Sequence, residues 1–450
     1  MQFSFKKVLT ALLILSCITT QTALAKLPQP TSVIFENVRI FNGTSVQLSA
    51  PANVLVVDNV IKAISTSPIA SPADTSVTRI AGGGRTLMPG LIDAHSHISV
   101  MAVSMSDALN ADIGYINIAA GKAAEDMLFH GFTTVRDMGG PTFGLKRAID
   151  SDLIVGPRIF PSGAMISQTG GHGDFRLPYE IPRAAGDPLS YSERIGLAAI
   201  ADSADEVRRR TRENFMKGAS QIKLTAGGGV GSSYDPIDVT QFSEAELHAA
   251  VEVAENWGTY VTVHAYTPRA MRIAIAAGVK SIEHGQLADE ATVKLMAEKG
   301  IWWCLQPFLD DADWTPLSGE KRVKQLAVEH GTDMAYALAK KYKVKTAWGT
   351  DIIFSPELAL RQGAMLSKLV RWYSPGELLK MATGDNGQLL ALSGQRSPYA
   401  GKLGVIEEGA LADLLLVNGD PIANIKLIED PNTNFLVIMK NGKIYKNIVQ

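Results

Sequence analysis

The 450-residue sequence predicts an α/β fold: a (β/α)8 TIM-like barrel with a small composite β-sandwich domain formed by both termini. Short apolar runs alternate with helical stretches from about residue 89 to residue 400, which is typical of repeated βα units. Eight such runs fit the strand number of the barrel. β-rich sequence at each end of the chain predicts the second domain.

The barrel elements are predicted from short apolar runs and from helix-end signals. The helical stretch 117–130 ends before Gly131, a plausible C-terminal cap, and Ser243 with Glu246 forms a capping box that begins another helix. Polar residues at the carboxyl ends of barrel strands are expected to be catalytic. The candidate strands are 90–95, 133–137, 158–163, 221–224, 260–264, 281–284, 301–304 and 346–350.

The two ends of the chain have similar β-rich sequences. Strand-like runs occupy 33–41 and 54–64 near the start, and 412–418 and 435–445 near the end. We expect both ends to share one sheet, with two unrelated β appendages as the alternative. The predicted division is a leader at 1–25, β-sandwich parts at 26–88 and 401–450, and the barrel at 89–400.

The first 25 residues predict a secretory signal peptide. Lys6 and Lys7 precede a mostly apolar run at 8–18, and 23–25 (Ala-Leu-Ala) fits a cleavage site. That run is shorter than the about 20 residues that cross a bilayer, so a membrane anchor is the less favoured alternative. A lipoprotein signal at Cys17 is a second alternative. The prediction is an exported protein, periplasmic or secreted.

Charge and cysteine content restrict the classes of partner. The formal net charge is −2, so no positive field recruits nucleic acid, and no later segment resembles a membrane span. Cleavage after residue 25 leaves Cys304 as the only cysteine, which excludes an intramolecular disulfide. Stability must therefore come from the core and from bound metal.

Histidines and an aspartate occur where the predicted strands end. His95 and His97 lie two residues apart, so their side chains point to the same face of the first strand. His264 ends the fifth strand, His284 ends the sixth, and Asp351 follows the eighth. Any one of these histidines alone would more readily be a hydrogen-bonded core residue. Together they predict a metal site.

Lys223 lies in an apolar run at the end of the fourth strand. A buried lysine is costly as a cation, so burial lowers its pKa and favours the neutral amine. A neutral amine can react with carbon dioxide to form a carbamate, which bridges two metal ions as a carboxylate does. The alternatives are a lysine paired with an acid or one whose ammonium reaches solvent.

This arrangement resembles the binuclear metal-dependent branch of the amidohydrolase superfamily over nearly the whole mature chain. Within it the sequence is most similar to relatives of imidazolonepropionase, which include zinc-dependent Xaa-Pro dipeptidases, carboxypeptidase-like amidohydrolases and ochratoxin-hydrolysing enzymes. The segments that show the resemblance are 87–97 (LMPGLIDAHSH), 169–174 (TGGHGD), Lys223 in its glycine-rich context, 234–236 (YDP), 241–243 (QFS) and 404–413 (GVIEEGALAD).

The resemblance implies two divalent metal ions. Zinc is the favoured metal, and manganese, cobalt and nickel are the alternatives. It places His95, His97 and Asp351 on the more buried ion and His264 and His284 on the other. Carboxylated Lys223 and a hydroxide would bridge the ions, and Asp351 would also transfer the proton. It further implies a small-molecule or dipeptide substrate and a homo-oligomer, with an octamer as one arrangement.

Loop residues are candidates for substrate binding. His172 is suited to polarise a carbonyl or bind an anion, Tyr234 to donate to the oxyanion or to a substrate carboxylate, and Arg176 to clamp a carboxylate with two nitrogens. Each has a structural contact as its alternative. His130, His248 and His330 are interpreted as structural or exposed, and Arg136 and Asp137 as supports of the ligands or a structural ion pair.

The predicted activity is hydrolysis of a peptide or amide bond by a metal-bridging hydroxide, on dipeptides and N-acyl amino acids. A cyclic-amide hydrolase or deaminase is the alternative within the same superfamily. Deaminases of this fold commonly use one metal and lack a bridging lysine, so Lys223 argues against them. A non-catalytic metal-binding protein is the alternative of another class.

Overall fold

The computed structural model describes residues 31–72, 76–183, 186–311, 313 and 317–449. The predicted signal peptide and Cys17 lie outside these ranges. Among the described residues, no helix combines the length and apolar character that a membrane crossing requires.

Strands from both ends of the chain form one eight-stranded sheet, in the order β18-β17-β16-β5-β1-β2-β3, with β4 parallel to β1. Antiparallel pairing of β16 with β5 joins the two ends of the chain. These ends therefore contribute to one sheet rather than to separate appendages. The strands are β1 (Thr31–Phe41), β2 (Leu48–Val57), β3 (Val60–Ser65), β4 (Ser76–Ala81), β5 (Thr86–Pro89), β16 (Leu414–Val417), β17 (Phe435–Lys440) and β18 (Lys443–Asn447).

The middle of the chain forms two parallel sheets. One has the order β6-β7-β8 and the other β10-β9-β11-β12-β13-β14-β15. All eight strands predicted from the sequence are present, but β9 and β10 are additional strands of three residues each, too short for an apolar pattern to show. The strands are β6 (Leu91–Ser96), β7 (Phe132–Asp137), β8 (Arg158–Pro161), β9 (Met165–Ser167), β10 (Ala198–Ile200), β11 (Ile222–Thr225), β12 (Val261–Ala265), β13 (Ser281–His284), β14 (Trp302–Leu305) and β15 (Thr346–Trp348).

Hydrogen bonds connect these two parallel sheets in two places, between β6 and β15 and between β8 and the residues just before β11. The Asn386 side-chain amide donates to the carbonyl of Ile92 in β6 (2.7 Å) and to that of Trp348 in β15 (2.8 Å). On the other side, the Ser220 amide donates to the carbonyl of Pro161 in β8 (2.7 Å). The ten parallel strands are therefore one connected unit.

Helices cover the outer face of the parallel strands. Leu224, Val263 and Ile282 of successive strands belong to one core cluster with Leu247 and Ala250 of α6. The helices are α1 (Met105–Asn110), α2 (Ile113–Phe129), α3 (Thr142–Asp150), α4 (Tyr191–Ile195), α5 (Ala204–Lys217), α6 (Glu244–Asn256), α7 (Pro268–Ala276), α8 (Glu290–Lys299), α9 (Gly319–Tyr342), α10 (Gln362–Ser367), α11 (Pro375–Lys380), α12 (Asn386–Leu390) and α13 (Pro431–Asn434). Short 3-10 or π turns occupy Pro178–Glu180, Lys368–Arg371, Met381–Asp385, Ala391–Arg396 and Ile425–Ile428.

The predicted helix-end signals are confirmed. Ser243 Oγ accepts a hydrogen bond from the Glu246 amide, and the Glu246 carboxylate accepts one from the Ser243 amide (2.7 Å). Gly131 follows α2 with a φ of +85°, where a side chain would be strained and would collide with Phe435 of the terminal sheet.

A buried ion pair links the terminal sheet to the parallel strands. Arg158 Nε in β8 donates to Asp413 Oδ2 (2.8 Å), and Arg158 Nη2 donates to Asn441 Oδ1 (2.8 Å). The Asn441 amide in turn donates to Asp413 Oδ1 (2.7 Å). Arg158 and Asp413 are both buried, so each charge depends on the other for compensation.

Replacing Arg158 with methionine should lower the free energy of unfolding by about 3–5 kcal/mol, because Asp413 would remain buried without its partner. Arg39→Met is the matched control, since it breaks an exposed pair with Asp420 in the terminal sheet and should cost at most about 1 kcal/mol. Urea unfolding followed by circular dichroism measures both values. Equal losses in the two variants would show that burial does not strengthen the Arg158 pair.

Candidate metal centre

The six predicted metal ligands meet at the carboxyl edge of the parallel strands. His95 is in β6, Lys223 in β11, His264 in β12 and His284 at the end of β13. His97 and Asp351 lie just beyond the ends of β6 and β15. The five basic side chains are buried, and all six line one cavity. The structure therefore brings together residues that are up to 256 positions apart, as the strand-end pattern predicts.

The Asp351 carboxylate lies close to three of the histidine side chains. Its Oδ1 lies 3.1 Å from His95 Nε2 and 3.4 Å from His97 Nε2, and its Oδ2 lies 3.9 Å from His284 Nδ1. The ring centres of His264 and His284 are 4.5 Å apart. A carboxylate surrounded by imidazoles is a donor set that divalent metals prefer.

Hydrogen bonds fix which nitrogen of each histidine is available to a metal. One ring nitrogen of each contacts an acceptor: Nδ1 of His95 the Glu283 carboxylate (2.8 Å), Nδ1 of His97 the Gly139 carbonyl (3.0 Å), Nε2 of His264 the Gly228 carbonyl (3.0 Å) and Nδ1 of His284 the Gln306 Oε1 (2.7 Å). Each contact assigns the proton to that nitrogen and leaves a lone pair on the other.

The contact between His95 and Asp351 tests whether a metal fits. His95 Nε2 is buried and has no hydrogen-bond partner among the described residues, although Asp351 Oδ1 lies only 3.1 Å away. With its proton on Nδ1, His95 directs a lone pair at a carboxylate, so two acceptors face each other. A shared cation removes that repulsion, and His95, His97 and Asp351 have ligand atoms close enough to hold one.

Lys223 is buried, with 2% of its surface exposed, so it does not reach solvent. In the described part of the chain, no carboxylate lies within 4.0 Å of its ammonium, which leaves the ion-pair alternative without support. Burial lowers the pKa of Lys223 and favours the neutral amine. These properties suit the carbamate prediction.

Unusual backbone conformations place two of the ligands. His284 has a φ of +72° and Asp351 a φ of +55°, both in the left-handed region that non-glycine residues rarely adopt. Strand alternation would direct Glu283 and His284 to opposite faces. The turn at His284 breaks that alternation, so both consecutive side chains serve the site.

Glu283 and Arg136 form a buried pair beneath His95. Arg136 Nη2 donates to both Glu283 oxygens (2.7 and 2.8 Å), while His95 Nδ1 donates to Glu283 Oε2. Burial opposes ionisation, but Arg136 and then His95 hold the pKa of Glu283 well below its usual range. Arg136 therefore supports a ligand through Glu283, which our sequence analysis missed. The available signal was a glutamate within an apolar strand.

Asp93 is a second residue that the sequence analysis missed. Its Oδ1 accepts hydrogen bonds from the backbone amides of His95 and Thr350 (both 3.0 Å), and its Oδ2 accepts one from Thr350 Oγ1 (2.7 Å). Burial raises the pKa of Asp93 to about 6. Asp93 thus ties the end of β6 to the turn that precedes Asp351. Asp137, predicted with Arg136, accepts instead from Thr142 Oγ1 (2.7 Å).

The three loop candidates line the same cavity but already have protein partners. The His172 ring stacks on His264, with centres 4.0 Å apart, and its Nδ1 contacts Ser232 Oγ (2.9 Å). Burial lowers the pKa of His172 to about 4, which keeps the imidazole neutral near pH 7. The Tyr234 hydroxyl donates to the Arg176 carbonyl (2.8 Å).

Arg176 is paired with a neighbouring carboxylate, Asp174. Its Nε and Nη2 donate to the two oxygens of Asp174 (2.8 and 2.7 Å), and Nη2 also donates to Thr169 Oγ1. Only Nη1 makes no hydrogen bond within the described residues. A two-nitrogen clamp on a substrate carboxylate would require Arg176 to release Asp174, and this role of Arg176 stays a prediction.

The cavity has a volume of ≈ 380 Å³ and mostly apolar walls beyond the ligands. Phe175 and Phe354 meet edge to face with ring centres 6.0 Å apart, and Phe308 lies 6.1 Å from the His284 ring. This volume suits a small molecule. His130, His248 and His330 do not line it, in agreement with their structural or exposed interpretation.

Glu283→Gln should weaken metal binding about 10–100-fold, because the amide holds the His95 proton less well than the carboxylate. Glu329→Gln is the matched control, since Glu329 is also buried and paired with arginine, but in α9 and away from the cavity. Metal content after dialysis against a graded chelator series measures the change. Retention of metal at wild-type chelator concentrations by Glu283→Gln would remove Glu283 from the support of the site.

Comparison with known proteins identifies the family of this chain. The family model described as "Amidohydrolase family" matches residues 86–450. Ochratoxinase of Aspergillus niger is 33% identical over 378 residues, covering 80% of this chain and 75% of that protein. A crystal structure of an amidohydrolase has a TM-score of 0.83 at 34% identity, and a prolidase complexed with N-methylphosphonate-L-proline has 0.81 at 32%; each covers 93% of this chain and 100% of that one. The resemblance found in the sequence is confirmed: this chain is a hydrolase that belongs to the amidohydrolase family.

Proposed function

We propose that this chain is a binuclear metal-dependent amidohydrolase that cleaves dipeptides or N-acyl amino acids, as an Xaa-Pro dipeptidase or a carboxypeptidase-like enzyme does. The observation that supports this best is a complete set of ligand residues lining one cavity around a buried Lys223 that has no carboxylate partner in the described part of the chain. The names of two relatives, prolidase and ochratoxinase, support hydrolysis of amide bonds to amino acids.

The ligands divide between two ions in this proposal. His95, His97 and Asp351 would hold one ion, and His264 and His284 would hold the other. Divalent ions, with zinc favoured by the imidazole and carboxylate donors, supply Lewis acidity and lower the pKa of water when they are bound. The Lys223 amine would form a bond to the carbon of carbon dioxide and release a proton to solvent, and the resulting carbamate oxygens would supply a further ligand.

The remaining chemistry belongs to side chains of the chain itself. Asp351 accepts the proton that the attacking water loses and passes it to the leaving amine nitrogen. His172, neutral near pH 7, presents Nε2 to the substrate because its Nδ1 contacts Ser232. Tyr234 donates its proton to the Arg176 carbonyl, so it must exchange that bond to donate to an oxyanion or a carboxylate.

The finer features of fold and assembly are part of the same proposal. We infer that the two parallel sheets close into a (β/α)8 barrel, since hydrogen bonds connect β6 with β15 through Asn386 and β8 with Ser220, just before β11. A β-sandwich shape for the terminal sheet, homo-oligomeric assembly and export from the cytoplasm are further expectations that rest on the sequence.

Lys223→Ala should lose most bound metal. Its activity should fall by more than about 100-fold, the upper end of the loss that is usual when a residue supporting a metal ligand is replaced. A short-chain carboxylic acid or bicarbonate should restore part of it by replacing the bridge. Lys440→Ala is the control, because Lys440 is also buried but bonds the Gly156 carbonyl outside the cavity. Metal analysis and hydrolysis rates measure both variants. Unchanged activity in Lys223→Ala would exclude the bridging role.

A substrate with a free carboxylate on its leaving amino acid should be preferred over its C-terminal amide by about 10-fold in kcat/KM, or at least about 1.4 kcal/mol. The net charge of −2 offers no general attraction for an anion, so recognition must come from local groups such as Arg176 Nη1 and Tyr234. Paired Xaa-Pro dipeptides and N-acyl amino acids, each as acid and amide, measure the ratio. Activity confined to cyclic amides would favour the imidazolonepropionase-like alternative.

A further inference from the structure

A glycine-rich segment, residues 227–235, contacts the site at three points. The Gly228 carbonyl accepts from His264 Nε2 (3.0 Å), Ser232 Oγ contacts His172 Nδ1 (2.9 Å), and the Tyr234 hydroxyl donates to the Arg176 carbonyl (2.8 Å). The segment therefore sets the orientation of one ligand and of two groups in the cavity wall.

Few bonds described for this segment hold it in place without help from α9: the Gly229 amide donates to Asp235 Oδ2 within the segment (2.7 Å), and the Gly228 amide donates to the Val239 carbonyl (3.2 Å). The segment contains four glycines, which lose more conformational freedom on ordering than any other residue, and its only described ladder contact is an isolated bridge from Gly227 to Thr240. No larger residue fits at Gly229, because a Cβ there would lie 1.8 Å from His172 Nδ1. Groups outside the segment must therefore provide a large part of its order.

Lys324 of α9 provides three such bonds. Its ammonium donates to the carbonyls of Gly229 (3.1 Å), Ser232 (3.3 Å) and Asp235 (2.8 Å). No carboxylate among the described residues lies within ion-pair distance of this ammonium, so its polar contacts there are directed at the segment. Lys321, one turn earlier on the same helix, donates to the Gly231 carbonyl (2.6 Å).

We propose that Lys324 is a positioning residue of the active site, which holds segment 227–235 against His172 and His264 in the conformation that accepts substrate. The ammonium has three donors, and three carbonyls of one tight loop can satisfy all of them together. Loss of these bonds lets the segment populate other conformations. Substrate must then select the competent one, which weakens apparent binding in proportion to its population.

The proposal predicts a change in KM rather than in kcat, and its kinetic part rests on the proposed hydrolase function. In the metal-loaded enzyme, Lys324→Met should raise KM about 10-fold or more, with kcat within about 3-fold of wild type, because bound substrate restores the competent conformation. Lys324→Arg should recover part of the loss, since it keeps the charge and several donors. Lys340→Met is the matched control, because Lys340 lies on the same helix and bonds a carbonyl elsewhere, that of Trp372.

Hydrogen–deuterium exchange of the metal-loaded enzyme without substrate tests the proposal independently of activity. Amides of 228–235 should exchange faster in Lys324→Met than in wild type or Lys340→Met. If no substrate of the proposed class is hydrolysed but this exchange pattern is found, the loop role stands and the proposed function fails. Unchanged exchange in this segment, or a loss of metal and kcat with unchanged KM, would overturn the role of Lys324.

Lys324→Gln is a second test, for use if the Lys324→Met protein does not fold. Its shorter amide keeps two donors but cannot span the three carbonyls. It should therefore show the same direction of change in exchange and KM, at smaller magnitude. Wild-type exchange and wild-type KM in a folded Lys324→Gln protein would contradict the proposal.

Discussion

The face-to-face approach of His95 Nε2 and Asp351 Oδ1 is the contact on which the rest of the site depends. The two acceptors lie 3.1 Å apart, and His95 Nε2 has no hydrogen-bond partner among the described residues. The charges behind them alternate in sign: Arg136 neutralises Glu283, and Glu283 holds the proton of His95 on the far nitrogen. Arg136 thus compensates the charge of Glu283, but the carboxylate of Asp351 still requires a cation beside it.

The parallel strands make this arrangement possible because their carboxyl ends meet at one edge. Alternation along β11 and β12 sends Leu224 and Val263 to the helices, which leaves Lys223 and His264 for the opposite face. At His284, strand alternation alone would direct the side chains of Glu283 and His284 to opposite faces, and the left-handed backbone conformation there breaks the alternation. Packing of the helices and placement of the ligands are thus two consequences of the same strand geometry.

Sequence reasoning could predict what strand geometry determines and could not predict partners distant in the chain. His95, His97, Lys223, His264, His284 and Asp351 were found because each occupies a local, recognisable strand end. Glu283 was missed because strand alternation alone would direct its side chain away from that of His284. Its partner Arg136 is also 147 positions earlier in the chain. The strands β9 and β10 were missed since three residues contain too little pattern to indicate a strand.

The cavity wall shows why the substrate is harder to infer than the reaction. Arg176 binds Asp174, Tyr234 binds the Arg176 carbonyl, and His172 contacts Ser232, so loop residues satisfy each other first. Few polar groups then remain for a ligand, and apolar shape must contribute most of the discrimination. Because these contacts join loops rather than strands, substitutions in them can change the substrate while the ligands stay in place. Relatives named for different substrates can therefore share one fold and still differ in what they cleave.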